Sequence, residues 1–184
     1  MFGGPGSGKG TQSEKLIEKY GLHHISTGDV LRKHIKNETD LGKIAKKYID
    51  EGQLIPDELM INILDDVLEK EAQDKPGVIF DGFPRTIPQA EALKQLLNKR
   101  GKELHAVVGL EVPEEELVAR LINRGKMTGR TDDNEETIKK RLKVYHEQTT
   151  PLKEYYKKEN KYKAINGIGT LEDIFTDIVN SLDN

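Results

Sequence analysis

The sequence predicts an α/β fold in which a parallel sheet is wrapped by helices in three layers, and three observations carry the prediction. Strand-like and helix-like runs alternate along the chain, the signature of a parallel sheet with helical crossovers. A glycine-rich stretch, Gly3-Gly4-Pro5-Gly6-Ser7-Gly8-Lys9-Gly10-Thr11, opens directly into an amphipathic helical pattern over residues 12–20. The apolar run Val78-Ile79-Phe80 closes on Asp81, at the end of a strand where such sheets place polar site groups.

The strand-like runs lie at residues 24–25, 78–80, 106–110 and 162–165. Helical patterns fill the intervals at 12–20, 30–36, 41–51, 57–73, 87–99, 114–123, 134–158 and 171–182. Asp57 is placed to start one helix and Gly101 to follow another. Residues 125–129, Gly-Lys-Met-Thr-Gly, read as a flexible hinge, and Pro151 is expected to kink the long helix around it. Only Met1 and Phe2 precede the glycine-rich stretch, where a buried strand belongs. Either the first strand is shortened, with a loss of roughly 1.5–3 kcal/mol for each apolar side chain not buried, or another segment substitutes for it.

Chemistry is densest in the glycine-rich stretch, which reads as a phosphate-binding loop. Four glycines within six positions let successive backbone N–H groups turn inward toward phosphate oxygens. The first amides of the following helix add partial positive charge. Lys9 can reach terminal phosphates as a point charge, and the hydroxyl stands one place late, on Thr11, because Gly10 follows the lysine. The predicted fold is in this sense P-loop NTPase-like, with its first strand truncated.

Composition narrows the partners. With 184 residues the chain suits one good-sized core. Its 32 acidic and 29 basic residues give a formal charge of -3, which speaks against strong nucleic-acid or anionic-membrane binding. Cysteine is absent, so disulfides and Cys-based zinc sites are excluded. No apolar run approaches a membrane span, and the expected setting is the cytoplasm.

Three further groups attract attention. Ser26-Thr27-Gly28-Asp29-Val30-Leu31-Arg32 follows the short strand; Ser26 or Thr27 can cap a helix, Arg32 can hold a phosphate with two bonds, and Asp29 can hold a water on a metal. In Phe80-Asp81-Gly82-Phe83-Pro84-Arg85, the aspartate stands where phosphate-loop enzymes keep a Mg²⁺ acid, and the turn would throw Arg85 across the site. Gln89 lies four residues on, and its amide can pair with a purine edge through one donor and one acceptor. Finally Arg120, Arg124, Arg130 and Arg141, gathered in a net-negative chain, suggest a local polyanion site. The five histidines show no metal-ligand spacing, and Tyr155 and Tyr156 read as packing residues.

Together GGPGSGKGT, STGDVLR, DGFPRTIPQAEAL and the Arg130-Thr131-Asp132-Asp133 segment leading to KKRL make the whole chain resemble the adenylate kinases. That resemblance implies reversible phosphoryl transfer from Mg-ATP to AMP, giving two ADP, by a monomer. It implies ATP contacts from Gly4, Pro5, Gly6, Ser7, Gly8, Lys9, Gly10, Thr11, Arg120, Arg124, Asn166 and Gly167. It implies AMP contacts from Thr27, Arg32, Gln53, Ile55, Gly82, Arg85, Gln89, Arg130 and Arg141. Lys9, Arg85, Arg124, Arg130 and Arg141 would be catalytic, and Asp29 and Asp81 would hold Mg²⁺ through water. A single domain is implied, with core 1–26, 56–124 and 130–184, a monophosphate lobe at 27–55 and a short lid at 125–129 without structural zinc. A sister kinase for UMP, CMP or GMP, or a nucleotide-binding module without turnover, are the alternatives.

Overall fold

The structure, a computed structural model, describes residues 1–71 and 75–183. Its elements run β1 (Phe2–Gly3), α1 (Lys9–Tyr20), β2 (His23–Ser26), α2 (Thr27–Lys36), α3 (Asp40–Asp50), α4 (Asp57–Glu71), β3 (Val78–Asp81), α5 (Ile87–Lys99), β4 (Val107–Glu111) and α6 (Glu114–Thr128). A 3₁₀ turn (Thr131–Asp133), α7 (Glu135–Val144), a π turn (Tyr145–Thr149), α8 (Leu152–Lys158), β5 (Tyr162–Asn166) and α9 (Leu171–Asp183) complete them. The end of the helix expected at residue 73 lies outside the described residues.

All strand pairs are parallel. β2 pairs with β3, and β1 and β5 flank β4. The short β1 sets Phe2 against Gly109 and Gly3 against Leu110. On its other side the Met1 nitrogen donates to the Phe80 carbonyl at 2.6 Å, so β1 joins the two groups of strands. The expected short strand is thus a two-residue strand in a bridging position, anchored by Phe2, which is 5% exposed.

The three layers are legible in how side chains alternate. In β3, Ile79 packs with Leu16 of α1 and Ile174 and Ile178 of α9, while its neighbour Phe80 packs with Leu64 of α4 and Leu93, Leu96 and Leu97 of α5. In β4, Val108 and Leu110 join the first group, whereas Val107 meets Phe2, Leu152 and Tyr156. Successive strand residues point to opposite faces, so helices must cover both. Tyr156 is a core residue, 2% exposed, with Tyr155 edge-on to it.

Two expectations are corrected. Residues 125–128 are not a hinge but the last turn of α6, which closes at Gly129. A Cβ at Gly125 would lie 2.9 Å from the Asp133 carbonyl, so this glycine serves close approach between α6 and the 3₁₀ turn rather than flexibility. Nor is 134–158 one helix. Pro151 has no N–H to give the Glu147 carbonyl, and the preceding turn widens: Thr150 N–H bonds the Tyr145 carbonyl, five residues back, at 2.8 Å.

Candidate active site

The C-terminal ends of β1, β2 and β3 open onto one cavity of about 470 Å³, within the usual range for small-molecule sites. One wall is the loop after β1. Gly8 takes a left-handed conformation, φ 94°, and α1 begins at once on Lys9, three residues earlier than its apolar pattern suggests. Pro5, Gly6, Gly8, Lys9, Gly10 and Thr11 line the cavity. Gly4 and Ser7, expected beside them, are both buried, and Gly4 lies against Leu117. Ser7 contributes its N–H to the Gly4 carbonyl at 3.1 Å, closing the loop on itself.

Lys9 bends back over this loop and donates to the carbonyls of Gly3 and Gly4 at 2.9 and 3.0 Å. Burial lowers its pKa to about 8, with the Asp81 carboxylate opposing and Arg85, Arg141 and Arg124 reinforcing the shift. Lys9 is thus a buried cation on the cavity wall that a bound anion would stabilise.

The opposite wall comes from β2, α2, the segment before α4, and the turn after β3. Ser26 caps α2 by accepting from Asp29 N–H, so the helix starts at Thr27. The Thr27 hydroxyl donates to the Gly82 carbonyl at 3.0 Å. Gly82, at φ 79°, has room for no side chain, since a Cβ there would meet Arg85 Nη2 at 2.8 Å and Thr27 Oγ1 at 3.0 Å. Arg85 folds over it with Nε on the Gly82 carbonyl at 2.7 Å. Burial, with Arg141 adding to it, pushes the Arg85 guanidinium down from its ordinary value. Arg32 pairs with Asp29 at 2.5 Å, and both line the cavity with Gln53, Ile55, Asp81 and Gln89.

The third wall is a knot of three arginines on two carboxylates. Arg124 grips Asp133 with two bonds, at 2.6 and 2.8 Å, and Arg130 grips Asp132 at 2.9 and 2.7 Å. Arg141 donates to Asp133 at 2.8 Å and to the Asp132 carbonyl at 3.1 Å. Burial acts to raise the Asp132 pKa, but the Arg130 bond and the charges of Arg141 and Arg124 outweigh it and hold it at about 2. One net positive charge remains. All three arginines face the cavity, which is the geometry for gripping a polyanion with forked donors.

Arg120 lines the cavity beside them, with Nε on Glu116 at 2.7 Å and Nη2 on the Gly167 carbonyl at 3.2 Å. Asn166 and Gly167 stand at the end of β5 behind Arg120; the Asn166 carboxamide oxygen accepts from Ile168 N–H rather than lining the cavity.

Asp132 and Asp133 are not among the site residues expected from sequence, although both are buried and offset the charge of the arginine knot. Two adjacent aspartates, one residue beyond Arg130, are the available signal. Nor is Thr149 among them, whose hydroxyl in the π turn donates to the Arg85 carbonyl at 2.8 Å and ties the Arg85 turn to the helix after Arg141. Nothing local marks that threonine. Among the described residues no three His, Cys, Asp or Glu side chains gather as a metal cluster. Asp81 and Asp29, two separate carboxylates on one cavity, instead fit a Mg²⁺ ion that keeps most of its ligands as phosphate and water.

Comparison with known proteins gives the family. A family model described as adenylate kinase matches residues 1–161. An adenylate kinase of Bacteroides fragilis is 67% identical over 183 residues, covering 100% of this chain and 96% of its own length. One from Bacteroides thetaiotaomicron is 65% identical with the same coverage. Another, from Parabacteroides distasonis, is 60% identical over 184 residues, again 100% of this chain and 96% of its own. From its phosphate loop to its arginine knot, this chain belongs to the adenylate kinase family.

Proposed function

We propose that the chain moves the γ-phosphoryl group of ATP onto a phosphate oxygen of AMP, releasing two ADP, and runs the exchange in both directions. The observation that supports this reading is that the two sets of residues read as phosphate-binding line one cavity. One is the loop around Lys9 with Arg120 and Arg124; the other is Thr27, Arg32 and Arg85 with Gln53, Ile55 and Gln89. Arg130 and Arg141 line the same cavity.

Phosphoryl transfer asks little covalent work of a protein; it asks that attacking and leaving oxygens lie in line and that equatorial charge be screened. The loop amides and Lys9 hold the ATP phosphates, with Lys9 leaving the Gly3 and Gly4 carbonyls for them. Arg32 and Arg85 hold the AMP phosphate, Gln89 reads its base, and Arg124, Arg130 and Arg141 close on the group in flight. Arg120 and the Asn166–Gly167 backbone flank the ATP base. Mg²⁺ travelling with ATP, held through water by Asp81 and Asp29, supplies further positive charge on the phosphates. No structural zinc belongs to this reading.

Water must be kept out for transfer to win over hydrolysis. We assign closure to the lobe at 27–55, formed by α2 and α3, and to the lid at 125–129, which as the last turn of α6 would move together with the arginine segment packed on it rather than flex as a hinge. The remaining segments, 1–26, 56–124 and 130–184, act as the core. We place the enzyme in the cytoplasm as a monomer with small nucleotides as its partners; no described helix is long and apolar enough to cross a membrane.

The deciding experiment is ADP formation from Mg-ATP with AMP, UMP, CMP or GMP offered in turn. Strong preference for AMP is expected. Preference for a pyrimidine acceptor would move the chain to a sister activity, and nucleotide binding without turnover would make it a binding module.

A further inference from the structure

Gln89 can read a purine edge in either of two ways, because rotating its amide exchanges donor and acceptor. Its surroundings leave one. The Gln89 Oε1 accepts from the Arg85 backbone N–H at 2.8 Å, and Nε2 donates to Asp57 Oδ1 at 2.8 Å. A backbone N–H only donates, and an ionised carboxylate only accepts. Turning the amide over would set NH₂ against N–H and oxygen against carboxylate. Thr86 tightens the arrangement: its hydroxyl accepts from Gln89 N–H at 3.3 Å and gives its own proton to the same Asp57 oxygen at 2.9 Å.

After these bonds the amide keeps one N–H and one lone pair, and Gln89, only 2% exposed, lines the cavity beside Ile55 and Met60. Asp57, the first residue of α4, does not line the cavity. In adenine the exocyclic 6-amino group donates and the adjacent ring N1 accepts. In 6-oxo purines the oxygen accepts and N1 carries a hydrogen, so the pattern is reversed.

We propose that Asp57 is a positioning residue that sets base specificity: by holding the Gln89 amide in one orientation, it makes the acceptor site favour 6-amino over 6-oxo purine monophosphates. The proposal rests on Gln89 being the reader of the acceptor base, so the test separates the two ideas. Specificity constants for AMP and IMP, each with saturating Mg-ATP, are measured in the unaltered chain, Asp57→Ala, Asp57→Asn, Gln89→Leu and the Asp57→Ala/Gln89→Leu double variant.

Asp57→Ala should cut the AMP-to-IMP ratio by about 10-fold or more, the scale of one two-bond base contact, through KM for AMP, with KM for ATP unmoved. Gln89→Leu should collapse the ratio as well, and the double variant should lose nothing further. If Gln89→Leu keeps the ratio, the base reading at Gln89 fails. If Gln89→Leu collapses it while Asp57→Ala keeps it, the reading stands and the role of Asp57 is overturned. An equal fall for AMP, IMP and ATP in Asp57→Ala would make the residue merely structural and overturn the proposal. Should Asp57→Ala not fold, Asp57→Leu, which keeps the side-chain size and has no acceptor, decides by the same ratio; Asp57→Asn, whose amide oxygen can still accept from Gln89, should keep the ratio.

Discussion

Replacing Asp133 by asparagine should destabilise the protein more than any loss of an exposed ion pair. The Asp133 side chain has no exposure and takes two bonds from Arg124 and one from Arg141. Asparagine keeps the shape but removes the charge and turns an NH₂ toward guanidinium donors. Breaking a buried pair from one side leaves uncompensated charge and costs roughly 3–5 kcal/mol. The low end applies, because Arg124 keeps 34% and Arg141 18% of its side chain in solvent. About 3 kcal/mol corresponds to roughly 6–12 °C in Tm for a chain of this size. Thermal unfolding followed by circular dichroism gives the comparison. The control is Asp66→Asn, which removes only a 3.4 Å pair to Lys70 with both side chains 71% exposed, and is expected to move Tm by no more than about 2 °C. Equal shifts in the two variants would refute the view that Asp133 is the counter-charge of the arginine knot.

Lys9→Met should abolish most turnover with the circular dichroism spectrum unchanged, and near-normal activity would remove Lys9 from the mechanism. The same variant tests the lysine's lowered pKa. The unfolded chain binds more protons there between about 8 and 10.5, so unliganded wild type should gain stability relative to Lys9→Met as pH rises through that window, read from urea midpoints. Arg85→Ala should lose on the order of 10³-fold or more in kcat/KM, whereas Arg100→Ala, which removes a bond to Asp65 between α4 and α5, should leave turnover near normal; similar losses would displace Arg85 from the phosphate. Asp132 has a pKa lowered from 3.8 to about 2, so its contribution is present above the unfolded value and lost as pH falls through the folded one. The stability gap between wild type and Asp132→Asn should therefore hold from pH 7 to about 5 and close between pH 4 and 2; a gap that persists at pH 2 would contradict the ion-pair origin.

The sequence by itself determined the class of the fold and the chemistry at the strand ends. Alternating periods demand a parallel sheet with helical crossovers, and a glycine-rich loop before a lysine demands phosphate, because both follow from local backbone and side-chain physics. Lys9, Arg32, Arg85, Gln89 and the later arginines stand out in the sequence in this way, Thr27 through the family resemblance, and all line the cavity. What only the tertiary structure decided was how distant groups answer one another. Gly125 looks like a hinge until the 3₁₀ turn is seen pressing on α6, and the kink expected at Pro151 proves to be a widened turn that divides the helix. Asp132 and Asp133 become the counter-charge of three arginines only when α6, the 3₁₀ turn and α7 meet. Asp57 becomes the anchor of Gln89 across 32 residues of chain. Such contacts join segments far apart in the chain, and sequence periodicity records each segment's own faces without recording what will lie against them.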